Sequence, residues 1–376
     1  MSNKGVIPNN FLDDNNIEIG ISTQGMCMEM CPPEEVTLRT KEKLVHVLEM
    51  TPSGHKLVKS YCRSAADTNM AVPRLLRPFS VLSDTVHYLL VEIPKRKDVK
   101  KLSVMYDFLN DRLKAVRQDM TIQRLPPEQC VVLLEPMIRF YVYYSYRLCD
   151  HPSNEFVPVL NKKELLECMK WFLSCYDVLH KKTEKVVDVD WVIDNFNLVD
   201  LCKDKPELSC DRILVESLYI MCNLDDVHPL YRYLKLPNYV KRAPALKLAY
   251  DIAIANKNGN FIRTLRLARR LCPLTFAALC LYLPTIQRRA LQVLSHGYNS
   301  KNLTVPVEVV KDWLWFNSYE EVRATCEHYG LQVVKEKNAV CFNKTTFIDK
   351  EQHQPTKHLQ AKVVRLELEE VLLYKV

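Results

Sequence analysis

The chain has 376 residues, of which 48% are hydrophobic and 26% are charged, a balance typical of a folded protein with two or three compact units. Only 7 residues are glycine, well below the usual share of about 7%, which argues against a turn-rich β architecture and for packed helices. The net charge of +7 permits contact with nucleic acid or an acidic protein without requiring either.

The sequence shows no apolar segment of the length that membrane insertion requires. The N-terminus is polar, and the longest apolar run, Cys272–Leu283, is shorter than the about 20 residues that cross a bilayer. We therefore expect an intracellular protein without membrane contact. Its fourteen cysteines are then expected to be reduced thiols, mostly in the core.

Two cysteines mark the start of the predicted folded region. Cys27 and Cys31 are followed by the run from Pro32 to Glu35, and prolines with early carboxylates are typical of a helix N-terminus. A zinc site would need further ligands at paired spacing, which the nearby His and Cys residues do not supply. We expect the two thiols to form a buried anchor that ties the N-terminal segment to the first helices.

Five helical patterns follow, separated by prolines. The predicted helices span residues 33–50, 54–67, 80–93, 99–120 and 127–149. Between the third and fourth lies the densest basic cluster of the chain, which includes Lys95, Arg96 and Lys97. Such a cluster is either a solvated loop or a contact for phosphates or an acidic protein tail.

The fourth helical pattern has an unusual polar side. Its apolar positions form one face, while the C-terminal half carries side chains that make directional, planar hydrogen bonds. These side chains are Arg112, Arg117, Gln118, Asp119 and Gln123. We expect a buried structural network that joins this helix to its neighbours, with a contact surface for a partner or a phosphate backbone as the alternative.

The stretch YDFLNDRLKAVRQDMTIQ, Tyr106–Gln123, closely resembles the signature of the SAC/GANP family. Three further segments resemble family motifs in the right order, namely GMCMEMCPPEE, VKSYCRSAAD and RPFSVLSDTVHYLL, which begin at Gly25, Val58 and Arg77. The resemblance continues more weakly to about residue 348 and is closest to the short SAC domain-containing subfamily. It adds Arg63 and Asp107, which lie in these motifs, to the expected network.

The second half continues with helical patterns that lack a regular repeat consensus. The predicted helices span residues 161–184, 207–222, 226–236, 242–257, 259–271 and 273–296. The family resemblance implies a mainly α fold of stacked antiparallel helical pairs, similar to the superhelix of PCI-domain proteins. In GNFIRTLRLARR, Gly259–Arg270, the residues Arg263, Arg266, Arg269 and Arg270 make part of one helix strongly positive.

Residues 301–348 change character. A short helix from Val305-Pro306, a second helix capped by Ser318 and stopped by Gly330, and a β-hairpin around Lys335–Asn338 follow in the order of a winged helix. The resemblance implies the same unit. Its candidate contacts are Lys311, Arg323, Lys335, Lys337 and Lys344. Winged helices bind proteins as well as nucleic acids, so the sequence does not decide whether this unit binds nucleic acid.

The predicted organisation therefore has four parts. Residues 1–24 are expected to be disordered, residues 25–300 to form the helical-stack domain, and residues 301–348 to form the winged-helix unit. Residues 349–376 form a tail whose last part, 362–376, alternates apolar and polar positions. That alternation fits either a strand or a segment bound to a partner.

Signatures of catalysis are missing from the sequence. It contains no Gly-rich phosphate loop, no G-x-S-x-G elbow and no H-E-x-x-H motif. Adjacent carboxylates such as Asp225-Asp226 point apart in a helix or strand. We therefore expect neither an enzyme nor a cofactor.

Two roles follow from the resemblance. In the first, the chain is a scaffold that pairs with a PCI-domain protein and a small acidic disordered protein and presents a basic surface to RNA or DNA. That role implies nuclear messenger-RNA export of the transcription-and-export complex two type, with the chain in the nucleus and cytoplasm. In the second, the chain is a protein-binding adaptor at the centrosome or spindle during mitosis.

Overall fold

The computed structural model describes residues 23–52, 54–63, 71–96, 99, 101–186, 211–300, 302–349 and 367–373, without the side chains of 181–186 and 373. Within these residues the protein is mainly helical with a small antiparallel sheet near the C-terminus, which confirms the predicted fold class. No helix in these ranges combines the length and apolarity needed to cross a membrane. The predicted disorder at 1–22, the basic residue Lys97 and most of the predicted tail lie outside the described residues.

Twelve α-helices precede the winged unit in the described part of the chain. They are α1 Pro33–Lys41, α2 Phe79–His87, α3 Leu102–Gln123, α4 Pro127–Arg147, α5 Pro158–Val186, α6 Arg212–Met221, α7 His228–Lys235, α8 Asn238–Lys241, α9 Pro244–Lys257, α10 Phe261–Ala268, α11 Pro273–Cys280 and α12 Leu283–Gly297. A 3₁₀ turn lies at Val47–Glu49, a short hairpin joins β1 Met50–Thr51 to β2 Gly54–His55, and a π-helical turn extends α2 over Tyr88–Glu92.

Helix α4 is the centre of the main core. It is buried on nearly every side and packs along α5, against α2, and against α11. Its rings Phe140 and Tyr144 lie 5.8 and 5.4 Å from the ring of Tyr106 on α3. The hydroxyl of Tyr106 donates to Asn161 on α5 at 3.0 Å, so the polar tip of this ring is satisfied inside the core.

Several predicted helices are wrong in extent. The helix predicted over 54–67 is absent from its described part, where β2 is followed by extended chain as far as residue 63. The helix predicted over 33–50 ends at Lys41, because Lys43 adopts a left-handed conformation with φ 55°. The helix predicted over 273–296 is two helices, α11 and α12, since Pro284 lies in the first turn of the second one.

The last region has the helix–helix–hairpin order predicted for a winged helix, preceded by a short strand that was not predicted. Its elements are β3 Thr304–Pro306, α13 Val307–Leu314, α14 Tyr319–His328, β4 Gln332–Val334 and β5 Ala339–Cys341. Strand β5 lies between the other two and pairs antiparallel with both. The hydroxyl of Ser318 accepts from the N–H of Glu321 at 3.1 Å, and Gly330 follows α14 with φ 75°, as the sequence predicted for both ends of this helix.

This winged unit packs directly on the stack. Gln287 on α12 donates to the carbonyl of Leu314 at 2.9 Å, which satisfies the end of α13. The next residue, Trp315, is left-handed with φ 60° and stacks on Phe276 of α11 at 5.7 Å. The described part of the tail forms a further helix, α15 Leu368–Leu373, so the strand, one of the two alternatives for this segment, does not form there.

Candidate interaction surface and the network behind it

The C-terminal end of α3 holds the N-terminal segment of the fold. Asp119 is fully buried and accepts from Nε of Arg77 at 2.7 Å and from Nζ of Lys59 at 2.6 Å. One turn later, Gln123 donates to the carbonyl of Arg77 and accepts from the N–H of Gly25, both at 2.8 Å. Because the side chains of Asp119 and Gln123 make these internal hydrogen bonds, neither side chain is available to bind a partner.

Cys27 and Cys31 lie against the same end of α3, just before Pro32 and α1. The N–H of Cys27 donates to the carbonyl of Leu76 at 2.9 Å, and both thiols are buried. Burial raises the pKa of Cys27 and raises that of Cys31 to about 12, so both stay protonated at neutral pH. The described part of the chain contains no group of three or more side chains placed to hold a metal ion.

Glu49 is the centre of a second buried cluster. Its carboxylate pairs with Arg39 on α1 and, at 3.3 Å, with Arg112 on α3, and it accepts from the N–H of Val58 at 3.0 Å. Burial alone would raise the pKa of Glu49, but Arg112, the backbone N–H groups and Arg39 outweigh burial and hold the pKa below its ordinary value. The cluster therefore joins α1, α3 and the extended chain.

Side chains of α1 and α3 replace the helical hydrogen bonds of residues 59–62. Glu35 accepts from the N–H and the hydroxyl of Ser60 at 2.9 and 2.8 Å. Asp111 accepts from the N–H of residue 61 at 3.2 Å, and Gln118 donates to the carbonyl of residue 62 at 3.1 Å. This is the physical reason why the helix predicted over 54–67 does not form in its described part.

The other motif residues lie apart from this network. Arg117 pairs with Glu164 and, at 3.3 Å, with Glu167, and so joins α3 to α5. Arg63 and Asp107 are exposed. The structure therefore brings Glu35, Arg112, Gln118, Asp119 and Gln123 together around the N-terminal segment and leaves these three outside.

The predicted basic cluster before α3 is largely structural in its described part. The guanidinium of Arg96 donates to the carbonyls of Leu48 at 2.7 Å and of Val47 at 3.3 Å. Lys95 is half-exposed and pairs with Glu369 of α15 at 3.4 Å. These bonds tie the described part of the cluster to the rest of the fold.

A different region carries the free positive charge. Between residues 227 and 307 the sequence has thirteen Lys or Arg and a single acidic residue, Asp251. Sequence reasoning identified the arginines near residue 266 but missed the extent of this imbalance, although a count of charges along the chain reveals it.

Helix α10 presents the densest part of that charge. Thr264, Leu265 and Ala268 face the core, and Asn260 caps the helix by accepting from the N–H of Arg263 at 2.9 Å. On the opposite side lie four exposed arginines, which we call the arginine face. They are Arg263, Arg266, Arg269 and Arg270.

The arginine face extends towards the winged unit. The guanidinium of Arg269 lies 5.9 Å above the ring of Trp315, the residue that follows α13. Arg263, Arg266 and Arg270 make no ion pair with any residue that the structure describes. Their charges are therefore available to an anionic partner.

Two of the basic residues predicted in the winged unit are engaged internally. Nζ of Lys311 lies 3.7 Å from the carboxylate of Asp312. Arg323 donates to the side chain of Asn338 at 2.8 Å and so links α14 to the hairpin. In contrast, Lys335, Lys337 and Lys344 are exposed and unpaired among the described residues.

Helix α14, the second helix of the winged unit, is acidic. It carries Glu320, Glu321 and Glu327 against a single arginine, Arg323. A helix that enters a groove of duplex DNA must neutralise phosphates on both sides. The charge of α14 disfavours that mode and leaves the hairpin lysines as the basic part of the unit.

Sequence reasoning missed the partners of the network. The opposite charges come from Lys59, Arg77, Glu49 and Glu164. In the sequence, these residues differ from other charged residues only in that they lie inside the motif segments or in an apolar stretch. A lone charged residue in an apolar stretch is the available signal, because such a residue is buried only when it is paired.

Comparisons with known proteins identify the sequence class. A sequence model described as the SAC3/GANP family matches residues 30–335. The chain is 25% identical to Protein xmas of Drosophila melanogaster over 361 residues, which cover 92% of this chain and 16% of that protein. It is 25% identical to SAC3 family protein B of Arabidopsis thaliana over 320 residues, 82% of this chain and 18% of the relative. It is 24% identical to SAC3 family protein 1 of Schizosaccharomyces pombe over 376 residues, 91% of this chain and 34% of the relative.

Proposed function

Because the chain belongs to the SAC3/GANP family, we propose that it is a non-enzymatic scaffold that pairs with a PCI-domain protein and presents a basic surface to RNA or DNA. The chain spans at most 34% of the length of the relatives named above, so this role is proposed for the matched region. The observation that carries the proposal is the arginine face, with three arginines that no described carboxylate neutralises.

Phosphate binding by this surface follows from its chemistry. Arginine presents a planar fork of donors that fits phosphate oxygens, and it keeps its charge at any physiological pH. The exposed lysines of the hairpin, Lys335 and Lys337, add a second group of cations in the winged unit. Contacts of this kind fix a nucleic-acid backbone without reading its bases.

The first experiment measures binding of the full chain to a fluorescein-labelled 20-nucleotide oligouridylate across a salt series. For single strands, each neutralised phosphate contributes about −0.7 to the slope of log K against log salt, so the three unpaired arginines together with Lys335 and Lys337 predict a slope of about −3.5. Replacing Arg263, Arg266 and Arg270 with alanine should flatten that slope by about 2 units. Lys335→Ala with Lys337→Ala should flatten it further.

A matched control separates the site from the overall charge. Lys41, Lys163 and Lys170 are exposed and lie outside the basic region, so their replacement with alanine removes the same formal charge. This control should leave the slope nearly unchanged. Two results would show that the arginine face does not bind the oligonucleotide. One is an equal flattening of the salt slope in both triple variants, and the other is a wild-type slope in the arginine variant.

We propose the partners on the ground of family membership alone. A PCI-domain protein would pack beside the winged unit, with a small acidic disordered protein bound alongside, in the setting of nuclear messenger-RNA export. The test is capture of the tagged chain from its own cells, followed by mass spectrometry. If neither partner is recovered, this part of the proposal is contradicted. The conclusion about nucleic-acid binding is then unaffected, because it rests on a separate measurement.

A second candidate function is a protein-binding adaptor at the centrosome or spindle. The acidic charge of α14 supports it, because a helix that repels phosphates suits a protein surface better. A fluorescently tagged chain at the spindle poles, together with no oligouridylate binding at low salt, would favour this role. A nuclear signal with salt-sensitive binding favours the first one.

A further inference from the structure

We propose that helices α7 and α8 form a second binding site, which takes an acidic peptide segment with apolar side chains. The site consists of Tyr231, Leu234, Lys235, Tyr239 and Arg242, and we call it the Tyr231 surface. It goes beyond the proposed nucleic-acid role, because none of these residues belongs to the arginine face or to the winged unit.

The Tyr231 surface exposes an unusual amount of apolar side chain. Tyr231, Leu234 and Tyr239 are 62%, 57% and 56% exposed, although they lie within nine residues of one another. Tyr231 and Leu234 are three positions apart on α7 and therefore share one face of the helix. Single exposed apolar residues are ordinary, whereas a cluster marks a contact surface.

The inner side of α7 is firmly held, so the exposed side is presented in one orientation. Arg232 donates to both carboxylate oxygens of Asp177, at 2.8 and 2.9 Å, and to both oxygens of Glu216 at 2.9 Å. The buried ring of Tyr233 stacks on Tyr250 with 4.0 Å between the ring centroids. A surface fixed in advance loses less conformational entropy when a partner binds.

The charge around this surface selects an acidic partner. Residues 227–250 contain five Lys or Arg and no Asp or Glu. Arg232 is neutralised from within, but Lys235 and Arg242 are exposed and have no carboxylate partner among the described residues. Exposed apolar side chains with unpaired cations close to them in the chain complement a segment in which Asp or Glu alternates with apolar side chains.

The same features disfavour single-stranded nucleic acid at this place. Binding of a single strand requires several open aromatic faces, and the ring of Tyr239 is already stacked on His180 with an angle of 9° between the planes. Leu234 offers no aromatic face, so Tyr231 is left as the single open ring of this surface. A peptide side chain, in contrast, gains from contact with both residues.

The test selects random 16-residue peptides displayed on phage with the full chain at low salt. Enriched peptides should carry net negative charge and at least one Leu or aromatic residue. Fluorescence anisotropy then measures the affinity of the tightest-binding peptide for two double variants, Tyr231→Ala with Leu234→Ala and Lys235→Glu with Arg242→Glu. Each double variant should raise the dissociation constant of that peptide at least about tenfold. The controls Val159→Ala with Leu160→Ala, and Lys163→Glu with Lys170→Glu, change exposed residues elsewhere and should leave its affinity unchanged.

Four outcomes would overturn the proposal. These are no enrichment at all, enriched peptides without acidic residues, affinity unchanged in both surface variants, and loss of oligouridylate binding in Tyr231→Ala with Leu234→Ala. Self-association of the chain that disappears in that double variant would assign the surface to a second copy and would equally end the proposal. The alanine variant of Arg263, Arg266 and Arg270 should bind the peptide normally, which separates this test from that of the proposed function.

Discussion

The carboxylate of Asp119 and the guanidinium of Arg77 form an ion pair with 2.7 Å between Oδ2 and Nε, and neither side chain is exposed to solvent. Oδ1 of the same carboxylate lies 2.6 Å from Nζ of Lys59. One acidic group thus compensates two cations from different segments. A charge in this position stabilises the fold only as long as all its partners are present.

Asp119→Asn should destabilise the protein strongly, because the amide keeps the shape of the carboxylate but leaves Arg77 and Lys59 without compensation. Breaking one side of a buried pair typically costs about 3–5 kcal/mol in the free energy of unfolding. Urea denaturation measures this loss. The matched control is Asp312→Asn, which removes an exposed carboxylate 3.7 Å from Lys311 and should cost no more than about 1 kcal/mol. Equal losses in the two variants would contradict the structural role of Asp119.

Gly25→Ala tests how closely the N-terminal segment approaches α3. A Cβ at this position would lie 2.6 Å from the carbonyl oxygen of Leu76 and 2.7 Å from Oε1 of Gln123, so the segment has to move away. We expect a loss of about 1–3 kcal/mol and faster hydrogen exchange over residues 25–31. Gly297→Ala is the control, since nothing lies within 4 Å of its Cβ. Normal exchange in Gly25→Ala would show that the segment is not held by this contact.

The ion pair between α3 and α5 predicts a dependence of stability on pH. Burial alone would raise the pKa of Glu164, but Arg117 and Lys114 outweigh burial and hold the pKa below its ordinary value. The folded state therefore binds this proton less tightly than the unfolded state does. The stabilisation is complete above the unfolded pKa of about 4.3 and is lost as the pH falls through the lower folded value.

Glu164→Gln should remove this contribution, so the stability difference between wild type and variant should shrink as the solution is acidified below about pH 4. Urea denaturation at a series of pH values measures it. Glu167→Gln removes a neighbouring carboxylate that is 51% exposed, and its effect should stay within about 1 kcal/mol. A difference for Glu164→Gln that is independent of pH would refute the assignment.

Leu372→Ala tests the docking of α15 on α4. Leu372 is fully buried, and the guanidinium of Arg139 on α4 donates to the carbonyl of Val371 at 2.7 Å. Removing a buried leucine side chain costs about 2–5 kcal/mol, a large loss for a helix of six residues whose other described core side chains are Leu368 and Val371. Hydrogen exchange should rise over residues 368–373 and remain slow in α4. The control Val159→Ala removes an exposed apolar side chain from another helix and should leave α15 protected.

Much of the helical stack was predictable because its periodicity is local. The apolar positions of α3 recur every three or four residues, and prolines mark the boundaries of α3 and α4, so both helices lie close to the predicted ranges. The winged unit was predictable for a similar reason. Ser318 and Gly330 fix the ends of α14 by chemistry that involves only neighbouring residues.

The extended chain before residue 63 could not be predicted in this way. Its apolar spacing is compatible with a helix, but its backbone is bound by Glu35, Glu49 and Asp111, and these partners are recognisable only in three dimensions. The same limit applies to Arg96, whose sequence context fits a solvated loop or a contact for phosphates or an acidic tail, whereas its side chain donates to backbone carbonyls. A sequence shows that a residue is charged, but not which groups of the folded protein its side chain already binds.

The bond from the N–H of Gly25 to Gln123 spans 98 residues, and this has a consequence for biosynthesis. Ribosomes add about 5–20 residues per second, so Gly25 waits roughly 5 to 20 s after its own incorporation before its partner exists. During translation the two cysteine thiols nearby have no surface to bury against. Codon choice and elongation speed between these two positions therefore set how long the nascent chain stays accessible to chaperones and oxidants.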